Sequence, residues 1–300
     1  MSKDTIVFFG SGPVAAKSLE LLAQDFSIEA VVTKPKPEHH RGNFPVIDMA
    51  EKLGLPISTV GKRVDLSELI ATKPFQSKLG VLIDFGIIVG QDAIDYFPLG
   101  IINSHFSVLP EWRGADPITF AILSGQPTTG VSLMLIDQGM DTGKILKTKS
   151  IKVDPSDTST SLTDKLITLS NEMLVENLPE YISATLKPRE QSHPDRATYS
   201  RKLTKEDGII DWGKSSDVIE REIRAFIEWP KSSTKLAYKD VTITASHTIE
   251  KSGTFGNVEV QGKEIIVYCG KDALVIDKLK PAGKNEMTAE AFLAGHKHLL

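Results

Sequence analysis

The sequence is poor in cysteine and in long apolar segments, and each shortage excludes a class of protein. Of the 300 residues only Cys269 is a cysteine, which excludes an intrachain disulfide and a cysteine-based zinc site. No segment approaches the roughly 18 consecutive apolar residues that a membrane-spanning helix needs. Lys3 and Asp4 precede only a short apolar run, unlike a secretory signal. We therefore expect a cytoplasmic protein that does not bind membranes.

The chain also has no surplus of positive charge. Its 35 Lys and Arg residues are outnumbered by 39 Asp and Glu, which gives a formal net charge of −4. A nucleic acid would therefore have to bind to a local basic patch. The segment 187–205 offers one, because it holds six basic residues against two acidic ones. The basic residues are Lys187, Arg189, Arg196, Arg201, Lys202 and Lys205.

The first half of the chain alternates strand and helix patterns. The apolar segment Thr5–Phe9 predicts a buried strand, and an amphipathic helix is predicted from Pro13. This alternation predicts an α/β fold with a largely parallel sheet. Further strands are predicted at 28–33, 79–84, 101–104 and 131–136, and further helices at 46–53, 64–71, 117–123 and 161–186.

The composition changes after Leu186, which indicates a second domain. Prolines and weak periodicity predict an interdomain linker over 187–205. Beyond it, one helix precedes several short strands separated by turn residues, a spacing typical of a small β-barrel or sandwich. We therefore expect one domain over 1–186, a basic linker over 187–205 and a second domain over 206–300.

A glycine-rich loop follows the first predicted strand. Gly10, Gly12 and Ala15 fit the G-x-G-x-x-A variant of the dinucleotide-binding motif. An NAD(P)-dependent oxidoreductase is therefore one alternative. That motif also needs an acidic residue at the end of the second strand, where this chain has Lys34. A tight strand-to-helix turn is the simpler interpretation of the loop.

Two polar segments are the candidate functional sites. Asn103 and His105 lie two residues apart at the end of a predicted strand, so alternation places their side chains on the same side. The carboxyl edge of a parallel sheet is where open α/β proteins bind ligands. Asp141 lies between Gly139 and Gly143 in a short loop. An Asx turn in an ordinary hairpin explains that loop equally well.

Taken together, these two segments resemble the motifs of the 10-formyltetrahydrofolate-dependent formyltransferases. Residues 103–114 fit N-x-H-x-S-x-L-P-x-x-R-G, and residues 137–143 fit D-x-G-x-D-T-G. The resemblance implies a Rossmann-like formyltransferase domain followed by a smaller OB-like β-barrel domain. It implies Asn103, His105 and Asp141 as the catalytic residues, and a folate-contacting loop formed by Ser107, Val108, Leu109 and Pro110.

The chemistry of formyl transfer explains these residue types. Attack of an amine on the formyl carbon creates an oxyanion, to which Asn103 and His105 can donate hydrogen bonds. Asp141 would stabilise the imidazolium form of His105, and the pair can relay protons. No metal is required. The pterin ring needs an apolar slot, for which Ile83, Phe85 and Gly86 are candidates, although a core strand explains them equally well.

The wider chain is most similar to the members of this family that formylate methionyl-initiator tRNA. The opening segment 8–22 and the segment 197–212 carry that similarity. It implies a folate co-substrate and a tRNA partner. Nothing in the sequence demands an oligomer, and we expect a monomer. Basic residues would contact the tRNA phosphates, and the candidates are Arg41, Arg189, Arg201 and Lys202.

The sequence departs from the family pattern around the acceptor. Asp116 stands where the family has alanine in R-G-A-A-P, Glu111 stands where a basic residue is expected, and the loop 34–45 is short. An amino-sugar nucleotide is therefore the alternative acceptor. An RNA-binding module without enzymatic activity is the third interpretation, and it predicts that replacing His105 changes nothing.

Overall fold

The computed structural model describes residues 3–36 and 42–296, and the chain divides into two compact units. The first unit consists of Met1–Pro117, Thr128–Lys152 and Thr163–Ser200. The second unit consists of Ile118–Pro127, Val153–Leu162 and Arg201–Leu300. The segment predicted as a linker is therefore not free chain, because its residues through Ser200 belong to the first unit.

The first unit is built on a seven-stranded sheet. The strand order is β3-β2-β1-β4-β5-β7-β8, in which the first five strands are parallel, β7 runs antiparallel to β5, and β8 runs antiparallel to β7. This confirms the predicted α/β class. The strands are β1 (Thr5–Phe9), β2 (Ser27–Thr33), β3 (Ile57–Thr59), β4 (Gly80–Leu82), β5 (Ile101–His105), β7 (Thr128–Leu135) and β8 (Ile145–Lys152), with β6 (Arg113–Gly114) pairing separately with β9 (Tyr199–Ser200).

Six helices accompany these strands in the sequence. Two of them, α1 (Pro13–Asp25) and α2 (Pro45–Lys52), begin with a proline at the first helical turn, where its missing N–H costs nothing. The other helices are α3 (Arg63–Ala71), α4 (Gln91–Tyr96), α5 (Pro117–Ser124) and α6 (Ser159–Ile182). The sequence patterns did not predict α4 or the strands β3, β6, β8 and β9.

An aromatic cluster anchors the chain where β4 ends. Phe9 of β1 packs edge-on against Phe85 and Phe97, with ring centroids 5.6 and 5.9 Å apart. All three rings are buried, and each such ring contributes roughly 1.5–3 kcal/mol by leaving water. The cluster fixes the loop after β4 against β1. It thereby positions the carboxyl edge of the sheet.

The second unit contains an antiparallel sheet with the order β10-β11-β14-β13-β12, with β15 paired to β14. This confirms a smaller sheet domain after the α/β domain. Register shifts near Ala245 bend β11 against β14, and no ladder joins β10 to β12 in the described part of the chain. The elements are α7 (Ser216–Ala225), β10 (Ser232–Leu236), β11 (Lys239–Ile249), β12 (Val258–Gln261), β13 (Glu264–Tyr268), β14 (Ala273–Pro281), β15 (Met287–Thr288) and α8 (Ala289–His296).

Among residues 3–36 and 42–296, no helix combines the length and the apolar character needed to cross a membrane.

Candidate active site

The strand β5 presents the first two candidate residues on one face. Ser104 points to the opposite face, where its Oγ lies 2.6 Å from the Oγ of Ser170 on α6. Asn103 and His105 therefore project together, as alternation requires. The side-chain amide of Asn103 is half-buried and makes no hydrogen bond to another described residue. Within the described residues, this donor at the carboxyl edge of the sheet has no hydrogen-bond partner.

The ring of His105 is held by a backbone carbonyl. Its Nε2 lies 2.9 Å from the carbonyl oxygen of Trp112. Because a carbonyl oxygen can only accept, Nε2 carries the hydrogen. The other ring nitrogen, Nδ1, faces Oδ2 of Asp141 at 3.7 Å. The ring nitrogen that is not bound to the carbonyl of Trp112 therefore faces a carboxylate.

Asp141 is aimed at His105 by its own loop. Its backbone has φ 53°, a left-handed conformation that non-glycine residues rarely adopt. Its Oδ2 accepts a hydrogen bond of 2.7 Å from the N–H of Gly114. The Asx-type bond in this loop comes from Asp137 instead, whose Oδ1 accepts from the N–H of Gly139. The loop is a hairpin connection, because it joins the antiparallel strands β7 and β8, but its Asx residue is Asp137, and the carboxylate of Asp141 faces His105.

The predicted folate loop after β5 is held by a residue that the sequence did not suggest. Ser132 of β7 donates to the carbonyl oxygen of Ser107 at 2.8 Å and accepts from the N–H of Leu109 at 3.0 Å. Ser107 and Leu109 are buried, whereas Val108 and Pro110 are half-buried. Contact of this loop with folate stays a prediction. No spacing rule pointed to Ser132, because it lies inside an otherwise apolar strand.

The other predicted folate wall is mostly protein core. The side chains of Ile83 and Phe85 are buried, and Phe85 packs on Phe9. Gly86 is exposed, with φ 64°. The interpretation of this segment as core therefore accounts for both large side chains. A folate contact here stays a prediction that would use the backbone of these residues.

The glycine loop is a tight turn closed by an aspartate. A Cβ on Gly10 would lie 2.5 Å from the Cβ of Ala15. A Cβ on Gly12 would lie 1.9 Å from Oδ2 of Asp84. Close packing therefore explains both glycines. The carboxylate of Asp84 lies at the beginning of α1, where a dinucleotide phosphate would need to bind.

Asp84 is an acidic residue in an unusual environment. It follows β4 with φ 48°, which is why the strand ends before its predicted limit. Its side chain is exposed on one side and lies close to Gly12 at the beginning of α1 on the other. Burial raises the pKa of Asp84 to about 6, Lys34 acts against this, and Asp116 raises it further. Asp116 is thus electrostatically coupled to Asp84.

This coupling predicts a pH-dependent stability. Because folding raises the pKa of Asp84, its stabilising contribution is complete below 3.8, its ordinary value, and is lost as the pH rises through about 6. Asp84→Asn is therefore expected to stabilise the protein by about 1 kcal/mol at pH ~8, after allowing for solvent screening. The gain should vanish at low pH. Urea-unfolding midpoints at both pH values check this, and equal shifts at both would contradict it.

The side chains predicted to contact tRNA differ in their ion pairing and exposure. The guanidinium of Arg201 makes two hydrogen bonds to the carboxylate of Asp207, of 2.7 and 2.5 Å. This pairing holds the pKa of Asp207 well below its usual range. Arg189 and Lys202 are exposed. Arg41 lies outside the described residues, and all four contacts stay predictions.

Potential metal ligands are not gathered in the part of the chain that the structure describes. In those residues no three of His, Cys, Asp or Glu lie close enough together to hold a metal ion.

The comparisons with known proteins agree with the motifs. The sequence matches the family described as "Formyl transferase" over residues 6–178, and "Formyl transferase, C-terminal domain" over residues 202–297. The chain is 37% identical to the methionyl-tRNA formyltransferase of Myxococcus xanthus, over 99% of this chain and 96% of that protein. It is 34% identical to the corresponding protein of Neisseria gonorrhoeae, over 97% of this chain and 96% of that protein.

A solved structure shares the fold. The N-formyltransferase from Helicobacter canadensis, in complex with folinic acid and dTDP-3-aminofucose, aligns with a TM-score of 0.68. The identity is 20%, and the alignment covers 92% of this chain and 98% of that one. Since the identity is low, this similarity supports the fold alone.

Proposed function

Because the chain belongs to the family of methionyl-tRNA formyltransferases, we propose that it transfers the formyl group of 10-formyltetrahydrofolate to the α-amino group of methionyl-initiator tRNA. The chain is a formyl-transferring enzyme of translation initiation. The observation that carries the proposal is the His105–Asp141 pair, with the amide of Asn103 on the same face of β5 and without a hydrogen-bond partner among the described residues. All three residues fall within the matched formyl transferase region. The reaction would take place in the cytoplasm, and one copy of the chain holds all three residues.

The proposed reaction is an acyl transfer between two nitrogens. The amine nitrogen forms a bond to the formyl carbon, the carbonyl oxygen becomes an oxyanion, and the bond from carbon to N10 of the folate then breaks. The amide of Asn103 donates to the oxyanion, and the charge of His105 stabilises it. The amine loses one proton and N10 gains one, so His105 and Asp141 need only move a proton.

The hydrogen bond at Nε2 determines which ring nitrogen of His105 is available for proton transfer. Since Nε2–H is bound to the carbonyl of Trp112, the ring can release or accept a proton at Nδ1. That nitrogen faces Asp141, whose carboxylate stabilises the imidazolium. We infer that His105, as an imidazolium, stabilises the oxyanion and delivers the Nδ1 proton to N10 as it leaves, and that the proton lost by the amine then restores the charged ring.

The proposal that a folate is the formyl donor rests on the family and on one solved structure. The Helicobacter canadensis protein was solved with folinic acid, a reduced folate. In this chain the loop from Ser107 to Pro110 follows directly after His105 and is fixed by Ser132. A folate bound along this loop would bring its N10 near the catalytic face of β5.

An amino-sugar nucleotide is the second candidate acceptor. The Helicobacter canadensis protein, which has the same fold, was solved with dTDP-3-aminofucose. The tRNA relatives are much closer in sequence and align along nearly the whole chain, including the second unit. We therefore favour the tRNA. The glycine loop no longer supports an NAD(P)-dependent oxidoreductase, because the close approach of Asp84 to Gly12 explains the glycine.

The basic residue Lys202 supplies a test of tRNA contact. Lys202 is exposed and has no ion pair in the described residues, whereas Arg201 is engaged by Asp207. Lys202→Ala is expected to weaken tRNA binding about threefold and to lower the slope of log affinity against log salt by about 1. Lys52, which is paired with Glu20, provides the control Lys52→Ala. An unchanged slope for Lys202→Ala would remove this residue from the interface.

A competition between acceptors tests the proposal. Wild-type protein receives a limiting amount of 10-formyltetrahydrofolate together with methionyl-initiator tRNA and an amino-sugar nucleotide at equal concentrations. The proposal predicts that the formyl group is recovered on the tRNA. Recovery on the sugar would establish the second candidate, and an enzyme that uses neither acceptor would contradict both.

A further inference from the structure

One buried glutamine lies between the two catalytic motifs. Gln191 belongs to the segment after α6, and its side chain is 8% exposed. Its Nε2 donates to the carbonyl oxygens of Asp141 and Gly143, at 2.7 and 3.0 Å. Its Oε1 accepts a hydrogen bond of 2.7 Å from a terminal nitrogen of Arg113. Both ends of this amide are therefore occupied.

Arg113 connects the glutamine to the segment that holds the histidine. It is buried, and it lies between the two residues that position the catalytic pair. The carbonyl of Trp112 accepts from His105, and the N–H of Gly114 donates to Asp141. The side chain of Gln191 thus joins the 112–114 segment to the 141–143 loop.

The backbone of Asp141 explains why such a connection is needed. A left-handed conformation at a non-glycine residue persists when its surroundings over-determine it. At Asp141, Gln191 binds the backbone carbonyl and Gly114 binds the carboxylate. One hydrogen bond therefore fixes the loop, and the other fixes the direction of the side chain.

We propose that Gln191 is a positioning residue for formyl transfer, which holds Asp141 at its distance from His105. This inference rests on the proposed function. A displacement of about 1 Å in a catalytic constellation costs on the order of a hundredfold in rate. The hydrogen bonds of the glutamine side chain go to Arg113 and to the backbone carbonyls of Asp141 and Gly143, so it acts through the backbone of the loop.

The substitution Gln191→Met tests this proposal, because it retains volume and loses both hydrogen-bonding functions. The expected result is a kcat reduced about a hundredfold with KM values within about threefold. Gln191→Glu keeps an acceptor for Arg113 but offers no donor to the two carbonyls, and it should lose a similar factor. Asn177→Leu is the control, because this buried amide donates to the carbonyl of Met173 within α6.

A double-mutant cycle separates positioning from a merely structural role. In an Asp141→Asn background, Gln191→Met should cost less than about threefold, because the glutamine acts through Asp141. A further hundredfold loss there would overturn the proposal. The proposal would also be overturned if Asn177→Leu lowered kcat as much as Gln191→Met does when both variants lose the same amount of Tm.

A readout without turnover separates this inference from the proposed function. The ring-nitrogen NMR shifts of His105 report on its contact with Asp141, and they should change in Gln191→Met but not in Asn177→Leu. Unchanged shifts in Gln191→Met would overturn the inference even in an active enzyme. If wild-type protein transfers no formyl group, the proposed function fails, while these shifts still test the positioning.

Discussion

Replacement of His105 by alanine is expected to lower kcat for formyl transfer by about three to four orders of magnitude. The substitution removes the imidazolium that we propose stabilises the oxyanion, and such stabilisation contributes about 10²–10³ in rate. It also removes the proton at Nδ1 that N10 needs on leaving, and general acid catalysis contributes about 10²–10⁴. Both effects come from the same ring and are not independent, so the expected loss is smaller than the product of the two rate factors. KM should change little, because the ring acts mainly in the transition state.

The matched control is a second histidine–aspartate pair in the same chain. Nδ1 of His247 lies 3.0 Å from Oδ1 of Asp277 on the sheet of the second unit. That pair is closer than the pair of His105 and Asp141, yet it is exposed. His247→Ala should leave kcat within about twofold, as surface substitutions usually do. A His105→Ala enzyme that retains a tenth of wild-type kcat would contradict the assigned chemistry.

The second large effect is expected for Asn103→Ala, which should lower kcat by about 10²–10³. The amide is half-buried and makes no hydrogen bond to another described residue. Its removal therefore leaves no buried group without a partner, and Tm should change by little. Such a separation of activity from stability distinguishes a catalytic donor from a structural amide. Steady-state kinetics and thermal unfolding of the same preparation measure both quantities.

A charged variant tests the direction of the Asn103 hydrogen bond. Asn103→Asp retains the shape of the side chain but replaces the donor with a negative charge beside the developing oxyanion. It should therefore be less active than Asn103→Ala at neutral pH. If Asn103→Asp were the more active variant, Asn103 would serve as an acceptor and the oxyanion would bind elsewhere.

Much of the first unit could be predicted, because its signals are local. The apolar run of β1 and the proline that begins α1 mark both elements directly in the sequence. Alternation along β5 places Asn103 and His105 on one face without any structure. The proximity of Asp141 to His105 came from the family resemblance, since no local pattern joins residues so far apart in the sequence.

The remaining features depend on contacts between distant segments. The strand pattern at 79–84 runs past β4, because Asp84 turns out of the strand to cover Gly12. The segment after α6 has the composition of a linker, yet its Gln191 binds the Asp141 loop. Arg201 has the charge for a phosphate contact, but Asp207 engages its guanidinium. In each case the role of the residue depends on its partner residue, and the local sequence pattern does not identify that partner.

The most direct test of the central claim follows the formyl group in a single turnover. Enzyme in excess over methionyl-initiator tRNA receives 10-formyltetrahydrofolate labelled in the formyl carbon, and the methionine is then released from the tRNA and analysed. We expect the wild-type enzyme to place the label on the α-amine. We expect Asn103→Ala and His105→Ala to slow this step, although both variants still bind both substrates. Label transfer in the two variants that is as fast as in the wild-type enzyme would contradict the proposed mechanism.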